Sequence, residues 1–203
     1  MKPINFHAKW TFLTTVGLAG GLVVGILLGM PVGEIANAMI ATAFVTCVVG
    51  SVLGGMQAMG LRKMVRRPLW WIAATTIGTG IGLAAGVVTV EQIGILMTGN
   101  RLNVAHLTSV SRTVSFIAIG LVCGTFLGIS QWLVLRIQMP QVRYWVPATA
   151  IALAVAFSGS SILVDLTGTR IFSGGGALIF LLSAGASFGV LTSWPLQRAL
   201  RTT

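Results

Sequence analysis

Six apolar runs, each about 20 residues long, contain no Asp, Glu, Lys or Arg; their approximate limits are 10–30, 39–60, 70–90, 113–135, 145–164 and 174–194. About 20 apolar residues are what a helix needs to cross the hydrocarbon core of a bilayer. Backbone in lipid must satisfy its hydrogen bonds internally, which leaves helices or a closed barrel. The runs lack the polar and apolar alternation of barrel strands. The sequence therefore predicts an all-α, polytopic bundle of six transmembrane helices, a single domain over residues 1–203.

The charge content supports a lipid environment. Only 8% of the 203 residues are charged, whereas soluble domains contain about 25%. The formal net charge is +10, but the basic residues form short clusters between apolar runs and not a basic face on a soluble fold. We therefore expect the partners to be the lipid bilayer and anionic lipid headgroups, and we expect no binding to nucleic acid.

The basic residues divide unevenly between the two sides of a six-helix topology. Three of them fall on the side that also receives the acids Glu34, Glu91 and Asp165, and ten fall on the other side. The three are Arg101, Arg112 and Arg170, and the ten are Lys2, Lys9, Arg62, Lys63, Arg66, Arg67, Arg136, Arg143, Arg198 and Arg201. Because cytoplasmic loops carry the excess of Lys and Arg, both termini are predicted to be cytoplasmic. One alternative is that residues 1–38, which end in Ala-Asn-Ala, are a cleaved signal peptide.

The chain contains three copies of a two-helix unit, at approximately 10–69, 70–143 and 144–203. Each copy opens with a tryptophan before a stretch rich in Thr and Ala, and closes with two glycines spaced by four. The second copy carries extra residues near 91–112, where a short amphipathic surface helix is one interpretation. An even number of helices per copy requires all copies to point the same way through the membrane. A closed bundle and a linear row of hairpins both satisfy this condition.

Small residues spaced by four form a stripe on every predicted helix, and such stripes let helix backbones approach closely in lipid. We predict that they pack helices together; docking of partner subunits or of flat pigments is the alternative. The predicted packing residues are Gly17, Gly21, Gly25, Gly29, Gly78, Gly82, Gly86, Gly120, Gly124, Gly128, Gly185 and Gly189, with Gly50 and Gly54 in the second helix.

Few polar residues are candidates for specific contacts. Gln57 and Gln131 recur at equivalent positions of the first two copies, which indicates interhelical or headgroup hydrogen bonds, or else a polar ring at a cytoplasmic mouth. Arg101, His106 and Arg112 lie in the polar segment of the second copy. Aromatic residues at helix starts are interpreted as an interfacial belt. These are Trp10, Trp70, Trp71, Tyr144 and Trp145.

We find no catalytic constellation and no metal-ligand spacing. The three carboxylates belong to separate copies, the two histidines fall on opposite sides of the membrane, and Cys47 and Cys123 lie inside apolar runs. Paired carboxylates would have to converge to act as acid and base. The sequence therefore predicts no enzyme activity and no metal site, and it implies no cofactor.

Two motifs carry a family resemblance: GxxxGxxQWLVLR at 124–136 and YWVPAT at 144–149. They resemble a class of small bacterial multipass membrane proteins with tandem two-helix repeats, to which no activity is assigned. The resemblance covers the whole chain and is strongest in the second copy; the first copy has Gln57-Ala58 in place of the Gln-Trp pair, and the third lacks the glutamine. It implies a multipass protein of the bacterial cytoplasmic membrane, or of an internal membrane derived from it.

The abundant packing faces and the lack of a chemical site favour one function. We expect a non-enzymatic accessory or assembly subunit that associates with other membrane-protein subunits through its small-residue faces. The alternative is a transporter or channel for a small, mostly uncharged solute. Since transport usually leaves ionisable residues within the membrane, and the apolar runs have none, the first hypothesis is preferred on the sequence.

Overall fold

The structure is a computed structural model that describes residues 3–35, 38–62, 65–98, 108–137, 142, 144–169 and 174–200. In this part of the chain six helices follow one another: α1 Pro3–Ile35, α2 Ala38–Leu61, α3 Pro68–Thr98, α4 Ser109–Leu135, α5 Trp145–Leu166 and α6 Gly174–Leu200. Each contains a segment long and apolar enough to cross a membrane. The prediction of an all-α multipass membrane protein is confirmed to this extent.

The six helices form a closed ring. Each helix packs against its neighbours in sequence, and α6 packs against α1. Along α1 and α2 the contacts run in opposite directions, since Gly17 meets Leu53 while Gly25 meets Val45, so neighbouring helices are antiparallel. Of the two arrangements left open by the sequence, the described residues adopt the bundle and not the row.

The two ends of the ring differ in the residues they carry. One end, which we call the tryptophan end, holds the starts of α1, α3 and α5, with Trp10, Trp71 and Trp145. The opposite end, which we call the acidic end, holds the ends of these three helices and includes Glu91 and Asp165. Described basic residues at the tryptophan end are Lys9, Arg62, Arg66, Arg67, Arg136 and Arg198.

Small residues make the contacts between neighbouring helices. A Cβ atom added at Gly124 of α4 would lie 2.6 Å from the Cα of Ala150 in α5. Each of the fourteen glycines named as packing residues similarly faces atoms of a neighbouring helix within 4 Å. The direction is regular, because the packing glycines of α1, α2, α3 and α4 each face the next helix in sequence, and Gly185 and Gly189 of α6 face α1. The stripes are therefore used inside the ring.

One interpretation of the sequence is wrong, and another is wrong only over the part of its segment that the structure describes. Trp10, Trp71 and Trp145 are not an interfacial belt, because their side chains are at most 1% exposed and lie inside the bundle; Trp70 and Tyr144 are exposed at the same end. The segment 91–112 is also not a separate surface helix over its described residues, since 91–98 continue α3 and 109–112 begin α4. Residues 99–107 lie outside the described part of the chain.

Replacing Gly82 by alanine should destabilise the protein, because the new methyl group would lie 2.8 Å from the carbonyl oxygen of Cys123 and 2.9 Å from its Cα. Backbone atoms cannot move aside without separating α3 from α4, and overpacking of this kind costs about 1–3 kcal/mol. Gly80→Ala in the same helix is the matched control, since no atom lies within 4 Å of its added Cβ.

The control should be neutral or stabilising by up to about 1 kcal/mol, because alanine has the higher helix propensity. Thermal unfolding of both variants in mild detergent measures the difference. Equal melting of Gly82→Ala and Gly80→Ala would contradict the packing role of this stripe.

Candidate ligand chamber

Large side chains close the tryptophan end of the ring. Four of these residues have no exposed surface, namely Leu61, Trp71, Leu135 and Leu196, and Trp145 is only 1% exposed. Together with Trp10 they belong to one apolar cluster, in which the Trp71 and Trp145 rings meet edge to face at 6.2 Å. We call this cluster the tryptophan plug. Its side chains fill the interior of the ring at this end.

A hydrogen-bonded layer crosses the ring at the level of the plug. Gln131 Nε2 donates to Gln57 Oε1 at 3.2 Å and to Thr75 Oγ1 at 3.1 Å, and Gln131 Oε1 accepts from Trp145 Nε1 at 3.2 Å. These residues belong to α2, α3, α4 and α5, and all are buried. Gln57 and Gln131 therefore make interhelical hydrogen bonds across the interior of the ring.

The other two tryptophans of the plug differ in their hydrogen bonding. Trp10 Nε1 donates to Thr192 Oγ1 at 3.0 Å, which joins α1 to α6. Trp71 Nε1 is buried and has no partner among the described residues. Gln57 of the neighbouring helix α2 does not accept from Trp71, and its Oε1 accepts from Gln131.

His7 reinforces the contact between α1 and α6, where the ring closes. Its Nδ1 lies 2.6 Å from Ser193 Oγ, and its Nε2 contacts Gln197 Oε1. Ser193 Oγ also lies within hydrogen-bond distance of the carbonyl oxygen of Val190. The direction of the bond between His7 and Ser193 depends on the tautomer of the histidine. Sequence reasoning missed the contact, since it joins residues 186 positions apart.

Beyond the plug, the ring encloses a chamber of about 710 Å³ that is lined by side chains from all six helices. Along α1 the lining residues become more exposed toward the acidic end, from half-buried Leu18 and Leu22 to Ile26 and Met30, which are 46% and 64% exposed. The chamber is therefore blind at the plug and opens at the acidic end.

The chamber walls are apolar. Phe157 and Phe180 line one side with ring centroids 5.8 Å apart, and Phe116 packs against Phe180 from behind at 5.2 Å. The lining includes no charged residue. Its polar groups are the hydroxyls of Thr42, Thr46 and Thr79 and the thiol of Cys123, and the described residues contain no cluster suited to a metal ion.

An ion pair lies at the acidic end of the ring. Arg112, one turn before Phe116 in α4, contacts the carboxylate of Asp165 at the end of α5. Both side chains are about three-quarters buried, being 20% and 25% exposed. Of the sequence candidates in this region, Arg112 thus has a defined contact, whereas Arg101 and His106 lie outside the described residues.

Comparison with known proteins gives this chain no relatives. A scan against models of protein families found no match, and searches of curated proteins and of solved structures also found none. The resemblance to small bacterial multipass proteins stays a prediction, and the function must be argued from the chamber and the plug.

Replacing Gln131 by leucine should lower the free energy of unfolding by about 1–3 kcal/mol, because the Trp145 N–H would lose its acceptor inside the bundle. The same change at exposed Gln92 of α3 is the control, and it should stay within about 0.5 kcal/mol of the parent protein. Denaturation in mixed micelles, followed by tryptophan fluorescence, measures both. If Gln131→Leu is as stable as Gln92→Leu, the hydrogen-bonded layer does not stabilise the ring.

Proposed function

We propose that this protein is a non-enzymatic membrane carrier that takes a small, mostly uncharged molecule from the membrane into the chamber of its helix ring. The observation that carries the proposal is the chamber itself, which is blind at the tryptophan plug and open at the acidic end. Its volume of about 710 Å³ lies within the range of about 300–1,000 Å³ that is typical of small-molecule sites.

The chemistry of the lining supports an uncharged occupant. Moving a charged group out of water without a counter-charge is very costly, and no lining residue carries a charge. An apolar molecule gains from the same surface, because burial of apolar area is favourable. The carrier is proposed as non-enzymatic because its only three acids lie in separate copies of the sequence repeat.

An accessory or assembly role is the second candidate. The glycine stripes that first suggested it face neighbouring helices within the ring, so they offer no docking surface. Other glycines have open space: a Cβ atom added at Gly20, Gly55, Gly80 or Gly159 would meet no atom within 4 Å. A helix of another membrane subunit can approach closely at such positions. Purification of a stoichiometric complex in mild detergent would favour this role over a carrier that acts alone.

The proposal includes an orientation in the membrane. We infer that the ring is built from three tandem hairpins, α1–α2, α3–α4 and α5–α6, and that both termini are cytoplasmic. The basic residues at the tryptophan end support this orientation through the positive-inside rule, and they suit contact with anionic headgroups of a bacterial cytoplasmic membrane. The chamber then opens toward the outer side.

Reporter fusions test the orientation. Fusions of green fluorescent protein after Arg62 and after Arg136 should fluoresce, and alkaline phosphatase should be inactive at both sites, because both loops are proposed to be cytoplasmic. Fusions after Thr169 should give the opposite pattern. Opposite results at Arg62 and Arg136 would contradict the six-helix topology, and a reversed pattern at all three sites would contradict the orientation alone.

Filling the chamber should abolish binding. Leu22 lines the chamber, so Leu22→Trp is expected to reduce uptake of radiolabelled decylbenzene by purified protein at least tenfold by occupying its space. Leu27→Trp is the matched control, because Leu27 lies on the same helix and is 64% exposed on the outside of the ring. Scintillation proximity measures binding to both variants. Equal binding by the two variants, or no binding by the parent protein, would count against a carrier.

A further inference from the structure

The threonines of the helices differ in what their hydroxyl groups do. Most donate to the carbonyl oxygen four residues earlier in their own helix, as is usual for hydroxyls in apolar helices. Those that do so include Thr15, Thr46, Thr76, Thr89, Thr125, Thr149 and Thr192. Thr79 is an exception, because its Oγ1 is buried and has no partner in the described part of the chain.

Thr79 lies at the floor of the chamber. It borders the chamber from α3 and is nearer the plug than Leu83, the other lining residue of that helix. One turn further toward the tryptophan end is Thr75, which is fully buried and already accepts from Gln131. On α4 the neighbouring lining residue is Cys123, whose thiol is only a weak donor. Of the threonines that line the chamber, Thr79 is thus the one whose hydroxyl has no hydrogen-bond partner in the described part of the chain.

A buried donor without an acceptor is costly, whereas the cost disappears when a ligand supplies the acceptor. Resting on the carrier function proposed above, we infer that the occupant is a lipid-soluble molecule with a hydrocarbon body and an uncharged hydrogen-bond acceptor, a carbonyl group, near its leading end. Thr79 donates to this carbonyl at the floor. The hydrocarbon body lies against Phe157, Phe180 and the aliphatic side chains of α1. A carboxylate is disfavoured as the acceptor, since no cation lines the chamber.

Two probes that differ at one carbon test this inference. Decylbenzene carries a methylene next to its ring, and decanophenone carries a carbonyl at that place. The Thr79→Val variant should bind decanophenone about two- to tenfold more weakly than the parent protein, which is the range for one lost hydrogen bond. Its binding of decylbenzene should be unchanged, since valine keeps the shape and removes only the hydroxyl.

Thr46→Val is the matched control. Thr46 also lines the chamber, but its hydroxyl donates to the carbonyl oxygen of Thr42 at 2.8 Å, so its removal should change the affinity for decanophenone less than twofold. If Thr46→Val weakens the binding of decanophenone as much as Thr79→Val does, the assignment of Thr79 as the donor is wrong. If Thr79→Val has no effect while both probes bind, the inference fails and the carrier function stands; if neither probe binds the parent protein, the carrier function fails.

A spectroscopic measurement needs no variant. The carbonyl stretching band of decanophenone bound to the parent protein should lie at a lower frequency than in hexane, because a hydrogen bond from Thr79 weakens the C=O bond. A band at the hexane position, with binding established by scintillation proximity, would overturn the inference even where Thr79→Val cannot be purified.

Discussion

Close backbone contact at small residues determines the shape of this protein, because it sets the angle at which each helix meets its two neighbours. Each helix contacts its two neighbours along two different faces. In α1 the face that contacts α6 includes Thr11, which faces Gly189, and the face that contacts α2 begins six residues later at Gly17. In α3 the same offset separates Ile72, which faces Gly54, from Gly78. Six residues at 3.6 per turn leave two faces about 120° apart. This is the interior angle of a hexagon, so six such helices close on themselves.

The chamber and the plug follow from the ring together with the side chains that point inward. A ring of six helices leaves space at its axis, and only large residues fill it. Trp10, Trp71 and Trp145 do so at one end. Toward the acidic end the inward positions of α1 and α2 hold residues such as Gly29, Gly33 and Ala41, which are too small to meet across the axis. The same packing rule thus produces a closed floor and an open chamber in one molecule.

The sequence predicted the helices of this structure better than it predicted which helices would contact one another. Apolar runs predict helices because backbone in lipid must satisfy its hydrogen bonds within the same segment. The glycine spacing marks the helix faces at which a neighbouring helix can approach closely. Neither signal states which helix a face will meet, so the closed ring and the His7–Ser193 contact could not be foreseen. The three tryptophans were misassigned because an indole side chain at the start of a helix suits the headgroup layer as well as the interior of the bundle. Thr79 carries no sequence signal that separates it from threonines whose hydroxyls bond within their own helix.

The hydrogen bonds of the three plug tryptophans differ from one another. Trp145 donates to Gln131, whereas Trp10 donates to Thr192. Gln131 also donates to Gln57, and the Trp71 N–H has no partner among the described residues. The chamber is asymmetric as well, because most of its lining comes from α1 and α2, while the phenyl rings of Phe157 in α5 and Phe180 in α6 line the other side. The glycine contacts between helices thus form the scaffold, and the differences between the inward-facing side chains give the chamber its asymmetric lining.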